Sequence, residues 1–152
     1  MTKTATVYLL DPQAATIQAV EIRALTGYTE AYKLIGCQLV SVVPFDGHHT
    51  LIVDEDGLQD GLSGFTIFDG YPQPIAGKIV LAGDRAEGMF SQPQISIEEA
   101  AKRFQCCKPV LDPVFAEQDE NTPKGVILSG ALMGFQTRIE RTTPAVVAGG
   151  VQ

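Results

Sequence analysis

The chain has 152 residues, of which 45% are hydrophobic and 19% charged, and its formal net charge is −7. This is enough apolar material for one domain with its own core, and it leaves no room for a second domain. The negative charge argues against nucleic acid as a partner, because proteins that bind the phosphate backbone gather lysine and arginine on one face.

Targeting signals and cysteine usage indicate the compartment. The amino terminus lacks the apolar region of a signal peptide, and no later run reaches the roughly 18 apolar residues that span a bilayer. The three cysteines, Cys37, Cys106 and Cys107, are an odd number without a C-x-x-C pair, which is typical of reduced thiols. We therefore expect a cytoplasmic protein with no membrane partner.

The first third of the chain predicts a β-hairpin and a helix. In residues 5–22, alternating and β-branched residues flank the turn sequence DPQAA. The helix that follows would begin at a cap formed by Thr26 or Thr29 and end at Gly36.

A second hairpin is predicted around Asp46-Gly47, a dipeptide that suits the positive φ angles of a two-residue type I′ turn. This turn would pair Val42 with Leu51 and give the hairpin one wholly aliphatic face.

Two groups of ionisable residues lie near this hairpin. They are the three carboxylates of residues 54–56, followed by Gly57, and the histidines His48 and His49. Successive residues of a strand point to opposite faces, so neither group is expected to hold a metal ion. We expect the carboxylates to form a turn in which the glycine takes a positive φ, and the histidines to lie on the surface.

Glycine and proline interrupt residues 57–74 repeatedly, which predicts a long, locally packed loop. A strand is predicted within residues 75–83. Ser96 and Glu99 form a capping box at the start of a second helix, which we expect to end before Pro109.

The elements together predict an α+β fold: two β-hairpins plus at least one further strand in one mainly antiparallel sheet, with two helices packed on it. Residues 1–104 would form this domain. Residues 105–152 would form a C-terminal extension that packs on the same domain, with possible strands at 125–130 and 134–142 and a loose tail from about residue 142.

Several short motifs occur in a recognisable order. They are Leu-Asp-Pro at 10–12, Leu-Ile-Gly at 34–36, Asp-Glu-Asp-Gly at 54–57, Gly-Leu at 61–62, Ile-Ala-Gly at 75–77 and the capped helix from Ser96 to Phe104. In this order residues 4–104 resemble an uncharacterised family of small proteins of bacteriophages and plasmids, whose motifs are D-E-x-G, G-L-P-x-N and I-x-G. Phe65 stands where that family often has asparagine. The resemblance implies no established activity, but its genomic setting implies an accessory or host-interaction role inside a bacterial cell.

Aromatic and basic residues suggest a binding site. Phe65, Phe68 and Tyr71 lie in the long loop, with Lys78 and Arg85 downstream. Rings together with cations suit a small anionic ligand, although the same rings could instead fix the loop to the core. The sequence contains no nucleotide-binding glycine motif after a strand, and we predict no cofactor and no metal.

These patterns favour a non-enzymatic phage or mobile-element accessory protein that acts by binding. It would serve counter-defence by sequestering a small anionic, nucleotide-like signal, or it would inhibit a host protein. An exposed sheet edge or apolar patch would also favour a homo-oligomer. The alternatives are a small hydrolase or transferase that uses the 57–74 loop, with Asp54, Asp56 or His48 as the general base, and a structural phage component.

Overall fold

The structure, a computed structural model, describes residues 4–23, 27–37, 39–57, 64–71, 73–83, 91–115 and 132–148. The strands are β1 (Thr4–Asp11), β2 (Thr16–Arg23), β3 (Val40–Asp46), β4 (His49–Asp54), β5 (Phe65–Phe68), β6 (Ile75–Ala76), β7 (Ile79–Gly83), β8 (Phe104–Phe115), β9 (Leu132–Thr142) and β10 (Ala145–Val147). The helices are α1 (Gly27–Ile35) and α2 (Ile97–Lys102).

The predicted α+β class with a single sheet is wrong. The protein is mostly β, with its strands in two sheets, and its two helices have only nine and six residues. Sheet A has six strands in the order β10-β2-β1-β7-β4-β3, and sheet B has four in the order β6-β5-β8-β9. Three strands of sheet B, β5, β8 and β9, come from segments that the sequence predicted as loop, helix end and C-terminal extension, and β6 comes from the start of the strand predicted within residues 75–83.

Prolines explain why strand β8 was missed. The strand contains Pro109 and Pro113, which break most regular structure, and it begins at Phe104, where the sequence predicted continuing helix. Among the described strands, β8 has partners on both sides only at Cys106 and Cys107; beyond Cys107 it pairs with β9 alone. A proline has no N–H to donate, so it is tolerated where its nitrogen points to a side of the strand that has no partner strand.

The first hairpin is confirmed. Strands β1 and β2 pair antiparallel from Thr4 opposite Arg23 to Asp11 opposite Thr16. Asp11 closes the turn, because its Oδ1 accepts the backbone N–H of Gln13 at 3.0 Å and of the next residue at 3.2 Å. This local side-chain bond is the mechanism by which aspartate favours turns.

The second hairpin is confirmed, but its predicted register is wrong by one residue. Val42 lies opposite Ile52, and the two-residue turn is Gly47-His48, neither of which has a positive φ. The side chain of Asp46 sets this turn, since its Oδ1 accepts the N–H of His48 at 2.8 Å. Because a slip of one residue reverses the faces of a strand, Val42 is 46% exposed instead of buried.

Both faces of sheet A are covered. Helix α1 packs on one face, over a core that includes Val7, Val20 and Ile52. Sheet B and α2 pack on the other face, over a core that includes Leu10 and Leu81. Strand β7 lies near the centre, and all five of its residues are buried. The two helices therefore lie on opposite faces of sheet A rather than together on one face.

The carboxyl-terminal part of the described chain returns to sheet A. Strand β10, in the stretch predicted as a loose tail, runs parallel to β2, and the Ala145 N–H donates to the Ala15 carbonyl at 2.9 Å. The predicted strand at 134–142 forms most of β9, whereas the one predicted at 125–130 lies outside the described residues. No helix in the described part of the chain is long and apolar enough to cross a membrane.

Candidate functional site

Four aromatic rings meet where the two sheets approach each other. Phe45 is the second-last residue of β3, Phe68 ends β5 and Phe104 begins β8, and all three are at least nine-tenths buried. The ring of Phe45 is centred 5.2 Å from that of Phe68 and 5.1 Å from that of Phe104. Tyr71 extends the cluster outward, stacked on Phe68 at 5.6 Å with 5° between the ring planes. The rings thus fix the residues after β5 to the core and still leave the half-buried Tyr71 at its edge.

A guanidinium group caps this cluster. Arg103 is the C-cap residue of α2, and its Cζ lies 4.1 Å from the centre of the Phe45 ring. Its Nη1 also donates to Oδ2 of Asp46 at 2.8 Å. A cation over a ring face and a charge-assisted hydrogen bond both favour one side-chain orientation, so Arg103 is positioned before any ligand arrives.

Asp46 connects Arg103 to a buried histidine. His49, only 4% exposed, lies with its Nδ1 2.8 Å from Oδ1 of Asp46, and its Nε2 accepts the backbone N–H of Gln94 at 3.0 Å. Because Nε2 accepts a hydrogen bond, the ring is neutral with its proton on Nδ1, which donates to Asp46. The prediction that both histidines lie on the surface is therefore wrong for His49, and it holds for His48, which is exposed.

The surroundings of Asp46 favour its charged form. Burial alone would raise the pKa of this carboxyl group. The N–H of His48, the guanidinium of Arg103 and the ring of His49 all stabilise the carboxylate, and together they hold the pKa well below its ordinary value. At neutral pH Asp46 is thus a charged group that holds both Arg103 and His49.

A cleft of about 650 Å³ opens beside the aromatic cluster. Phe45, Phe68 and Tyr71 provide its apolar wall, and the cations Lys102, Arg103 and Arg141 also line it. The remaining lining residues are Ile67, Asp69 and Gln105. Its volume falls within the range of roughly 300–1,000 Å³ that is usual for small-molecule sites.

Strand pairing brings the third cation to the cleft. Arg141 is far from Lys102 and Arg103 in the sequence, but β9 pairs with β8 so that Arg141 lies opposite Cys107. Lys102 and Arg103 already have carboxylate neighbours, at 3.8 Å from Glu99 and 2.8 Å from Asp46 respectively. Arg141 forms no ion pair with any carboxylate of the described residues, so its charge is the least compensated of the three.

Two of the five predicted ligand-binding residues, Phe68 and Tyr71, line this cleft. Phe65 does not, because it lies three residues before Phe68 on the same strand and so points to the opposite face. Lys78 lies between β6 and β7 and does not line the cleft, and Arg85 lies outside the described residues.

Sequence reasoning missed the cations that do line the cleft. A basic pair at the end of the capped helix, Lys102 in its last turn and Arg103 at its C-cap, was a local signal that cations would lie there. Arg141 had no comparable signal, because its position depends on the pairing of β8 with β9.

The carboxylates at the end of β4 form a turn, as predicted. Oδ1 of Asp54 accepts the N–H of Asp56 at 2.9 Å. The expected positive φ at Gly57 is absent; glycine is needed there because a Cβ would lie 2.5 Å from the carbonyl oxygen of Ala76. A second, smaller cleft of about 140 Å³ is lined by Asp54, Glu55 and Tyr71 among others.

The fold and the site define a β-rich domain of two packed sheets, with an aromatic and cationic cleft where the sheets meet. Residues 3–105 match the family described as Domain of unknown function (DUF3846), and the chain belongs to that family. This agrees with the resemblance seen in the sequence between residues 4 and 104.

Two curated proteins are similar to the chain. An uncharacterised protein, y4iR, of Sinorhizobium fredii (strain NBRC 101917 / NGR234) is 50% identical over 143 residues, which cover 93% of this chain and 88% of that protein. A protein named PsiB, of Rhizobium leguminosarum bv. phaseoli, is 49% identical over 114 residues, or 75% of this chain and 85% of that protein. No solved structure matches the chain significantly. The alignment with y4iR is longer than the whole family match, so that similarity extends beyond the family domain.

Proposed function

We propose that this protein is a non-enzymatic accessory protein of a phage or other mobile element, which acts by binding a small anionic, nucleotide-like molecule in the cleft. The observation that carries the proposal is the meeting of a stacked Phe68–Tyr71 pair with three cations around one space of about 650 Å³. By sequestering a signal of this kind, the protein would serve counter-defence in its host.

The cleft has an aromatic wall and a group of cations, which fits a ligand with an aromatic part and a charged part. The outer ring, Tyr71, offers a face for stacking a planar group, as aromatic side chains do for bases. The planar guanidinium of arginine can donate two parallel hydrogen bonds to phosphate oxygens. Of the three cations in the cleft, Arg141 has the least compensated charge. The carboxylate of Asp69 would repel a phosphate but can accept hydrogen bonds from hydroxyl or amino groups, so the phosphate is expected on the arginine side.

The anchoring of Arg103 supports binding rather than turnover. Its guanidinium is held by Asp46 and by the Phe45 ring, and Asp46 is itself held by His49. Both carboxylate oxygens of Asp46 are thus already hydrogen-bonded, one to His49 and one to Arg103. This favours a rigid receptor for charge, since a preorganised site loses less conformational entropy on binding.

The direct test is to purify the protein from bacterial cells and to measure its molecular mass under native conditions and again after denaturation. Any molecule that is released is then identified. We expect a phosphorylated small molecule, and we expect its occupancy to fall in an Arg141→Gln variant. A protein that carries no small molecule and binds none of a panel of nucleotides and inorganic pyrophosphate would refute the proposal. Conversion of a panel member into a product would favour the hydrolase or transferase alternative.

A further inference from the structure

A tight turn places a carboxylate beside the stacking ring of the cleft. The turn is formed by residues 68–71: the Tyr71 N–H donates to the Phe68 carbonyl at 3.4 Å, and Gly70 has a φ of 97°. A positive φ at the third position is the mark of a type II turn, whose first and fourth residues lie close together. Phe68 and Tyr71 can therefore stack, and Asp69 lies at the corner of the same turn.

The carboxylate of Asp69 is available to a ligand. Asp69 is exposed and lines the cleft, and it forms no hydrogen bond or ion pair with any residue that the structure describes. Asp46, by contrast, is already bonded to Arg103 and His49. An ionised carboxylate can only accept hydrogen bonds, so the part of a ligand that Asp69 binds must donate them.

An amide lies on the same side of sheet B. Gln105 lines the cleft, and the pairing of β5 with β8 places it directly opposite Ile67, two residues before Asp69. Directly opposite residues share a face of a sheet. The amide of Gln105 can donate as well as accept. The end of β5 thus presents an acceptor-only group and a possible donor to the cleft.

We infer that the cleft selects guanine nucleotides and that Asp69 is the residue that reads the base; this inference rests on the proposed function. Guanine carries two adjacent donors, its N1–H and its N2 amino group, next to the acceptor O6. The two oxygens of the Asp69 carboxylate can accept from both donors, and the amide of Gln105 can donate to O6.

The other bases suit this carboxylate less well. Adenine presents its N6 amino group next to N1, an acceptor whose lone pair would face the carboxylate, and cytosine presents N4 next to the acceptor N3 in the same way. Uracil has one donor, N3–H, between two carbonyl oxygens. Each of the three places an acceptor against an acceptor, and polar groups left unpaired in a binding site cost affinity.

The span of the cleft favours a contact of Asp69 with the base rather than with the ribose. Arg141, the expected phosphate partner, is on β9, which is separated from β5 by β8 and so lies about 10 Å from it, or two strand spacings. A nucleotide with its phosphate at Arg141 and its base on Tyr71 has its ribose between them. The edge of the base is then the part that lies beside Asp69.

Titration calorimetry of the full chain with the diphosphates of guanosine, adenosine, cytidine and uridine compares ligands that differ only in the base. We expect guanosine diphosphate to bind at least about tenfold more tightly than each of the others. Inosine diphosphate, which lacks the N2 amino group, should bind with an affinity between those of guanosine and adenosine diphosphate.

Asp69→Asn replaces one acceptor oxygen by a donor at an exposed position. It should weaken the binding of guanosine diphosphate at least about tenfold. It should not weaken that of adenosine diphosphate or of inorganic pyrophosphate, which has no base. The matched control is Glu21→Gln, which removes an equal charge from an exposed position of β2 outside the cleft and should bind like the natural protein.

The outcomes separate this inference from the proposed function. A natural protein that binds adenosine diphosphate as tightly as guanosine diphosphate would overturn the inference and leave the proposed function standing. An Asp69→Asn variant that keeps the guanine preference would also overturn it. So would one that loses affinity equally for both diphosphates, because that result assigns the carboxylate to the ribose. If neither the nucleotides nor pyrophosphate binds, both the inference and the proposed function are refuted.

Discussion

The backbone N–H of Gln94 donates to Nε2 of His49 at 3.0 Å, across 45 residues of sequence. Through this bond the segment before α2 is attached to the turn between β3 and β4. The other side of the same ring bonds to Asp46, which holds Arg103. The orientation of a cation in the cleft thus depends on a buried neutral histidine.

His49→Ala should lower the free energy of unfolding by about 2–3 kcal/mol, because it leaves the Gln94 N–H without its partner and removes ring contacts with Phe45. Urea unfolding followed by circular dichroism measures the change. Glu55→Gln, an exposed position just beyond the same strand, serves as the control and should shift stability by less than about 0.5 kcal/mol. Equal stability of the two variants would contradict the role assigned to His49.

Acid should destabilise the protein partly through Asp46. The folded-state pKa of this carboxyl group lies below its ordinary value of 3.8, so its contribution is fully present above that value and is lost as pH falls below it. Asp46→Asn should be less stable than the natural protein at neutral pH. It should also lose less stability between neutral pH and strong acid. The free energy of unfolding of both proteins, measured at a series of pH values, tests this. If the two free energies stay a constant distance apart as pH falls, the result counts against it.

Gly57 should not tolerate a side chain. A Cβ at this position would lie 2.5 Å from the backbone oxygen of Ala76, so Gly57→Ala must displace the backbone and should cost about 1–3 kcal/mol. At Gly47 a Cβ meets nothing within 4 Å and φ is not positive, so Gly47→Ala is the matched control and should be close to neutral. Thermal unfolding of both variants gives the comparison, and equal melting temperatures would be incompatible with the close approach.

The thiols should differ in reactivity. Burial, with help from the neighbouring Cys107 and from Asp11, raises the pKa of Cys106 to about 11, which leaves about one thiolate in a thousand at pH 8. Cys107 is also fully buried, whereas Cys37 is only half-buried. Alkylation at pH 8 followed by mass spectrometry should therefore modify Cys37 first, and the other two only in denaturant. Modification of Cys106 in the native protein as fast as in the unfolded chain would contradict its burial.

Local signals predicted local structure well. The hairpin closed by Asp11 and the helix start capped by Ser96 each depend on residues within a few positions, and both are present; Oγ of Ser96 accepts the Glu99 N–H at 3.1 Å. The second hairpin was off by one residue because the Asp46 side chain made the turn, in place of the positive φ expected of Asp-Gly.

Long-range pairing decided what the sequence could not predict. Pro109 and Pro113 break most strands, but here the side of β8 beyond Cys107 has no paired strand among the described residues, so prolines fit. Glycines in the 57–74 stretch likewise concealed β5, which is fixed by its pairing with β8. The cleft was hard to predict for the same reason. Phe68 and Tyr71 are close in the sequence, whereas Arg141 lies near them only because of strand pairing in sheet B.

Titration calorimetry with nucleotides and inorganic pyrophosphate tests the central claim most directly. The account predicts that the natural protein binds at least one of them and that Arg141→Gln binds it at least about tenfold more weakly, as loss of a charge-assisted contact requires. Lys33→Gln removes an equal charge from α1, on the far face of sheet A, and should bind like the natural protein. Equal affinities of Arg141→Gln and Lys33→Gln, or no binding of any of these probes, would contradict the account.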